Sequence, residues 1–123
     1  MRLRIAFGIV ALATPTAAPA MPVSTFLAKA ASLKSKGPFA LFSSDLKLLT
    51  NQVKSDFGQL GAERKAAQAA HRPAAFCPPG KSISLTDKDI MAAMEAVRPE
   101  ARAATDTKDA LRADMARRFP CPR

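Results

Sequence analysis

Two cysteines, Cys77 and Cys121, constrain the fold of this chain more than any other feature, because they are the only two among its 123 residues. Phe76 precedes the first, Phe119-Pro120 precedes the second, and proline follows both. An even count of two allows one intramolecular disulfide in an oxidising compartment. That bond would close a loop of about 45 residues and stabilise the fold by about 4 kcal/mol through lost unfolded-state entropy. We therefore predict a disulfide-bounded unit over residues 76–122.

The start of the chain supports an oxidising compartment, because its first twenty residues have the three parts of a secretory signal. Two arginines supply the basic start, an apolar run covers residues 5–13, and Ala18-Pro19-Ala20 supplies the small residues of a cleavage site. The run is far shorter than the roughly 20 residues that span a bilayer, so a retained anchor is the weaker alternative. We predict a signal peptide over 1–20 and a single small domain over 21–123, periplasmic or secreted, with no transmembrane anchor after processing.

The charge of the chain favours acidic partners. The formal net charge is +9, and loss of the two arginines of the signal leaves +7. Acidic proteins, anionic lipids and nucleic acids all suit such an excess. The basic residues are spread along the sequence, Trp and Tyr are absent, and the seven Phe fall mostly at positions of apolar periodicity. Because aromatic platforms interleaved with arginine are not visible, the sequence argues against nucleic-acid binding. We predict an acidic protein partner in the envelope, with anionic lipid or lipopolysaccharide as the alternative.

The predicted domain opens with a short amphipathic helix. Pro22 and Ser24 form its entry, and Gly37-Pro38 stops it. Its apolar residues recur at three- and four-residue spacing and comprise Phe26, Leu27, Ala30 and Leu33. The pattern predicts a helix of about three turns.

A second helix follows, with the clearest apolar stripe in the sequence. It begins at Ser43 or Ser44, with an acidic residue in its first turn. The stripe comprises Leu46, Leu49, Val53, Phe57 and Leu60. Gly58 and Gly61 each cost about 1 kcal/mol relative to alanine. The helix therefore either breaks at these glycines or continues through the Ala-rich residues 62–70.

Two more helices are predicted inside the cysteine-bounded unit. The first is capped by Ser84 or Thr86, carries two aspartates in its first turn, and ends at Arg98-Pro99. The second is capped by Thr105 or Asp106 and ends at the proline before the second cysteine. Its apolar face comprises Ala104, Leu111, Met115 and Phe119. The sequence thus predicts an all-α fold: a small bundle of about four helices with a disulfide-closed C-terminal helical hairpin.

No catalytic, cofactor or metal site emerges from the residue pattern. His71 is the only histidine, and it lies in an Ala/Arg/Pro linker without a nucleophile elbow. Asp87 and Asp89 are better explained as helix-capping residues than as an acid–base pair. The cysteines lack the C-x-x-C spacing of a redox pair, and with one histidine they do not form a metal-ligand set. We therefore predict that the protein is not an enzyme.

Two groups of side chains are candidates for partner binding. Methionines 91, 94 and 115 lie on the inward faces of the last two helices, where a core role is more frequent than an adaptable binding groove. A basic cluster lies toward the end of the last helix. We predict that this cluster contacts an acidic partner; it comprises Arg112, Arg117 and Arg118.

The cysteine-bounded unit resembles part of a known family. Its motifs are Phe76-Cys77-Pro78-Pro79, the corner Arg98-Pro99-Glu100, Ala110-Leu111, and the end Phe119-Pro120-Cys121-Pro122. They are similar to the C-terminal half of the Tai/Rap family of periplasmic immunity proteins, whose studied members bind and block cell-wall amidase toxins delivered by type VI secretion. The resemblance implies a small helical, non-enzymatic inhibitor. It covers about residues 76–122, and no family binding residue has a matching position in this sequence.

These observations lead to two functional hypotheses. The first is an exported non-enzymatic binding protein, specifically an immunity-type inhibitor of an envelope amidase toxin. The alternative is a small exported structural or stress protein that associates with anionic envelope polymers through its +7 charge. The two differ in salt dependence, because attachment by charge alone weakens as salt screens it and an apolar interface persists.

Overall fold

Four α-helices make up the described part of the chain, which in the computed structural model comprises residues 20–80 and 82–122. They are α1 (Val23–Lys36), α2 (Ser44–Ala69), α3 (Asp87–Glu95) and α4 (Thr107–Arg118), with short 3₁₀ helices at Gly37–Phe42 and Pro99–Ala101. Within those ranges, β structure is limited to one isolated antiparallel bridge between Pro22 and Asp106. The predicted small all-α bundle is confirmed. The predicted signal peptide lies outside the described residues, apart from Ala20.

The helices begin and end where local chemistry favours it. Ser43 caps α2 by accepting a hydrogen bond from the Asp45 N–H at 3.2 Å. A capping box starts α3, in which the Thr86 hydroxyl accepts from the Asp89 N–H and the Asp89 carboxylate accepts from the Thr86 N–H at 2.8 Å. Gly37 follows the end of α1 with φ 56°, a left-handed conformation that costs glycine little. The capping signals of the sequence therefore locate most helix ends.

α2 runs without a break through Gly58 and Gly61, the two positions at which the sequence allowed one. α4 packs against α2, and Lys108 Nζ donates to Gln59 Oε1 at 3.1 Å between the two glycines. Packing of this kind outweighs a propensity cost of about 1 kcal/mol per glycine. The result is a single helix of 26 residues that forms one long side of the bundle.

One apolar core lies between the four helices. α1 packs against the other three helices, and so does α4. Val23, Met94, Leu111 and Met115 are fully buried, which is worth about 1.5–3 kcal/mol for each side chain. The prediction that Ala104 belongs to the apolar face of the last helix is wrong, because α4 begins only at Thr107 and Ala104 lies exposed in the preceding turn.

The Cys77–Cys121 disulfide closes the C-terminal half of the bundle, as predicted, with 4.8 Å between the two Cα atoms. Beside the disulfide, the two backbone segments are also hydrogen-bonded to each other, because the Cys77 N–H donates to the Phe119 carbonyl at 2.8 Å. Phe76, directly before the bond, is buried in the core. The linker after α2 is thereby fastened to the end of α4. No helix in the described ranges has both the length and the apolar character to cross a membrane.

The chain joins the packed bundle at Met21. The Met21 carbonyl accepts a hydrogen bond from the Thr107 N–H at 2.9 Å, and the Val23 N–H donates to the Thr105 carbonyl at 2.8 Å. The Met21 side chain is part of the core. The start of α1 is therefore held against the start of α4.

Candidate functional site

An open groove lies between α2 and α3, because no Cα atom of α2 comes within 8 Å of one in α3. α1 packs against both helices and lines one end of the groove. Two adjoining clefts, with cavity volumes of about 530 and 500 Å³, make up this α2–α3 groove. Leu46, Val53 and Phe57 line the α2 side, and Ile83, Leu85 and Ile90 line the side of α3 and the segment before it. Concave apolar surfaces of this size are typical of binding sites.

The groove exposes part of the stripe that marks α2 in the sequence. Leu46, Val53 and Phe57 are only half-buried, whereas Leu49 and Leu60 belong to the core. α2 packs against α1 and α4, and α3 is too far from α2 to cover the outer part of the stripe. Val53 and Phe57 pack against the core with part of their side chains, and the remaining part is accessible from the groove.

Cations dominate the rim of the groove. Lys34 lines one cleft and Lys54 lines the other, together with Arg64. Asp87 is the carboxylate that both clefts share. The Arg64 guanidinium lies 5.3 Å from the centre of the Phe76 ring, and its buried Nε has no hydrogen-bond partner among the described residues. The groove therefore suits an apolar segment with acidic flanks.

The three methionines divide between the core and the groove. Met94 and Met115 are fully buried, which is the core role that the sequence favoured. Met91 is half-buried and lines the cleft nearest α1. One flexible side chain thus contributes to an adaptable groove wall.

Arg112, the first arginine of the predicted basic cluster, binds carboxylates of its own chain. Its guanidinium donates to both oxygens of Glu63 at 2.9 Å and also to Asp109. Partial burial raises the pKa of Glu63. The hydrogen bonds and the positive charge of Arg112 lower this pKa by more, so the net result is a pKa below the ordinary value. The same carboxylates raise the pKa of Arg112, against the effect of its own desolvation. Arg112 therefore serves as a link between α4 and α2.

Arg118 is also engaged within the molecule, while Arg117 is more open. Arg118 donates to Asp114 at 2.7 Å and to Asp89 at 3.1 Å, and the bond to Asp114 is the main reason that its pKa is raised. Hydrogen bonds from Thr86 and then from Arg118 lower the pKa of Asp89. Arg117 contacts Asp114 at 3.4 Å, with 56% of its side chain exposed. Partner binding by this cluster stays a prediction, and an acidic partner would compete with these internal carboxylates.

A buried polar cluster joins α2 to α4, and the sequence did not reveal it. Asp56 accepts a hydrogen bond from the Thr107 hydroxyl at 2.6 Å and another from Gln52 Nε2 at 2.9 Å. All three residues are buried. Desolvation raises the pKa of Asp56 above its ordinary value, although both hydrogen bonds and the nearby Lys108 oppose the shift. The cluster is enclosed in the helix interface, so we assign it to folding.

His71 has a local structural role. It adopts φ 52° just beyond α2, where its N–H donates to the Gln68 carbonyl at 3.2 Å and the Arg72 N–H donates to the Ala67 carbonyl at 2.8 Å. This is the Schellman arrangement that closes the end of a helix. Among residues 20–80 and 82–122, no three His, Cys, Asp or Glu side chains come together as a set of metal ligands.

No protein-family model, curated protein sequence or solved structure matches the chain. The resemblance of residues 76–122 to the immunity proteins stays a prediction, and the candidate site rests on the geometry of the groove.

Proposed function

We propose that the protein is an exported, non-enzymatic binding protein that occludes an acidic protein partner of the cell envelope in the α2–α3 groove. The groove carries this proposal, because it leaves part of the strongest apolar stripe of the sequence accessible. The resemblance of the cysteine-bounded unit suggests the partner class, a cell-wall amidase toxin. The protein would then act as an immunity-type inhibitor.

Two further features support this proposal. Lys34, Lys54 and Arg64 surround the groove with positive charge, which complements an acidic partner and speeds association. The disulfide fastens the linker from which Ile83 and Leu85 reach the groove. A wall held in place before binding lowers the entropy lost on association.

Export gives the first prediction. Protein recovered from the envelope of expressing cells is expected to begin at Met21, because Ala18-Pro19-Ala20 has the small residues that signal peptidase requires. Intact mass measurement reads the start directly. A variant with leucine at both 18 and 20 is the matched control and should keep its signal. Recovery of the unprocessed chain from the wild-type sequence would contradict export by a cleaved signal.

Occlusion of an amidase gives the second prediction. The oxidised protein, used as bait in an envelope extract at moderate salt, is expected to retain a peptidoglycan amidase in equal amount and to abolish its activity on purified cell wall. Phe57→Asp places a charge in the groove and should weaken retention at least about tenfold, because an apolar contact is replaced by a desolvated carboxylate. Ala62→Asp, exposed on the same helix outside the groove, is the matched control and should bind normally.

Other outcomes of the same experiment separate the two hypotheses. Retention of anionic polymer that is lost on raising the salt, equally in both aspartate variants, would favour association by charge alone. Retention of an amidase whose activity is unchanged would contradict inhibition. Equal inhibition by Phe57→Asp and the wild type would exclude the groove as the binding site.

A further inference from the structure

Three large apolar side chains are exposed to solvent at the corner between α1 and α2. Phe39, Leu41 and Phe42 of the 3₁₀ helix are 74%, 76% and 88% exposed, and Leu48 on α2 is 44% exposed. In residues 20–80 and 82–122, these four are the large apolar residues with exposed side chains. Single exposed apolar residues are ordinary, but a cluster of this kind marks a contact surface. We call residues 39–42 the apolar corner.

The backbone presents these side chains outward. Gly37 breaks α1, and Ser43 caps α2 and donates its N–H to the Ala40 carbonyl at 3.0 Å. In a 3₁₀ helix the side chains at positions i and i+3 are eclipsed, so Phe39 and Phe42 share one face. Only Ala40 of this segment is half-buried. The apolar corner is therefore a projection fixed at both ends, with its large side chains exposed to solvent.

Positive charge surrounds the corner. Residues 27–54 contain five lysines and one carboxylate, Asp45. That carboxylate is already paired, since Lys29 Nζ lies 3.2 Å from its Oδ1. Lys34 and Lys36 precede the corner, and Lys47 follows it in the first turns of α2; all three are exposed. The apolar corner thus combines exposed apolar side chains with lysines on both sides of it in the sequence.

We propose that the apolar corner docks on the surface of a bilayer that contains anionic lipid. Apolar side chains on a short rigid projection enter the boundary between headgroups and acyl chains, while lysines behind them remain near the lipid phosphates. A membrane fits a cationic projection of this kind better than a protein does, because a protein would need a matching acidic pocket. The inference does not rest on the amidase proposal, which concerns the α2–α3 groove; among the lysines beside the corner, Lys34 also lines this groove.

Vesicle binding tests this inference with protein purified from cells, oxidised, and with its N-terminus read by intact mass. Vesicles of phosphatidylcholine alone are compared with vesicles that contain about 30% phosphatidylglycerol. We expect sedimentation with the anionic vesicles only. Phe39→Ser/Phe42→Ser should lower the partition coefficient at least about tenfold, because two apolar side chains no longer enter the interface. Lys34→Gln/Lys47→Gln should lower it about 25-fold, at about fivefold for each lysine.

The matched control is Lys65→Gln/Lys88→Gln, which removes the same charge from exposed positions away from the corner. It should retain most of the binding. Because all six positions are exposed, thermal unfolding should be unchanged in the three variants, and the comparison is free of misfolding.

Equal loss in both lysine variants would overturn a docking site in favour of a general charge effect. Binding that is unaffected by the serine variant, or absent from anionic vesicles, would also overturn the proposal. Loss of a captured protein in the serine variant, without vesicle binding by the wild type, would assign the corner to a protein contact instead.

Discussion

Replacement of both Cys77 and Cys121 by serine is expected to lower the thermal midpoint by about 20 °C. The bond joins residues 44 positions apart, and its loss restores conformational freedom to the unfolded chain worth about 4 kcal/mol. For a domain of this size, each kcal/mol shifts the midpoint by about 4–8 °C. Circular dichroism during heating measures the change. A fall of less than about 5 °C would show that the disulfide is not a main source of stability.

Reduction provides the control for this experiment. Wild-type protein held in excess thiol reductant should unfold near the midpoint of the double variant, while the double variant should not respond to the reductant. Ser84→Ala, an exposed change within the same loop, should leave the midpoint unchanged. Response of the double variant to reductant would indicate an effect other than loss of this bond.

The disulfide also bears on the proposed binding site. The segment between Cys77 and α3 supplies Ile83 and Leu85 to the groove, and it contains no regular secondary structure among its described residues. Its position depends on its two ends, of which one is the disulfide and the other is the Thr86 capping box. Loss of the bond at a temperature where the helices survive should therefore weaken partner binding more than it changes helix content.

Most helix starts and the disulfide followed from the sequence, because the causes of the first are local and two cysteines allow only one pairing; α3, by contrast, ends at Glu95 and not at the predicted Arg98-Pro99. Ser43 and Thr86 satisfy backbone N–H groups within three residues, so short sequence patterns suffice to place them. The disulfide could be predicted because two cysteines in an oxidising compartment allow only one intramolecular pairing. The all-α fold followed from apolar spacing in four segments of the chain.

The candidate surfaces could not be predicted in the same way, because they depend on which helices meet. Arg112 looked like a free cation until folding brought Glu63, 49 residues away, into hydrogen-bond distance. The α2 stripe gave no sign that α3 would leave half of it open. The apolar corner was likewise hidden, since the sequence places Phe39 and Phe42 in the connection between two helices without indicating that their side chains are exposed.

The second prediction with a large expected effect concerns the stability of variants at Asp56, which is buried. Asp56→Ala is expected to lower the free energy of unfolding by about 3 kcal/mol, because the Thr107 hydroxyl and the Gln52 amide lose their acceptor in the interior. Asp56→Asn should remain within about 1 kcal/mol of the wild type, since its oxygen accepts from Thr107 and a rotated Gln52 amide accepts from its nitrogen. Urea unfolding at neutral pH measures both variants. Equal stability of the alanine and asparagine variants would contradict a hydrogen-bonding role.

The same pair of proteins, wild type and Asp56→Asn, should differ in pH dependence. Because desolvation holds the pKa of Asp56 above its ordinary value of 3.8, the folded protein binds this proton more tightly than the unfolded chain does. The residue therefore contributes stability that is fully present below 3.8 and is lost as the pH rises through the folded pKa. Glu63 and Asp89 act in the opposite direction, since their pKa values are lowered, and they act equally in both proteins. The asparagine variant should consequently gain stability relative to the wild type as the pH rises from about 4, and the gain should level off above the folded pKa. A difference between the two proteins that is constant across this range would show that burial does not perturb the carboxylate.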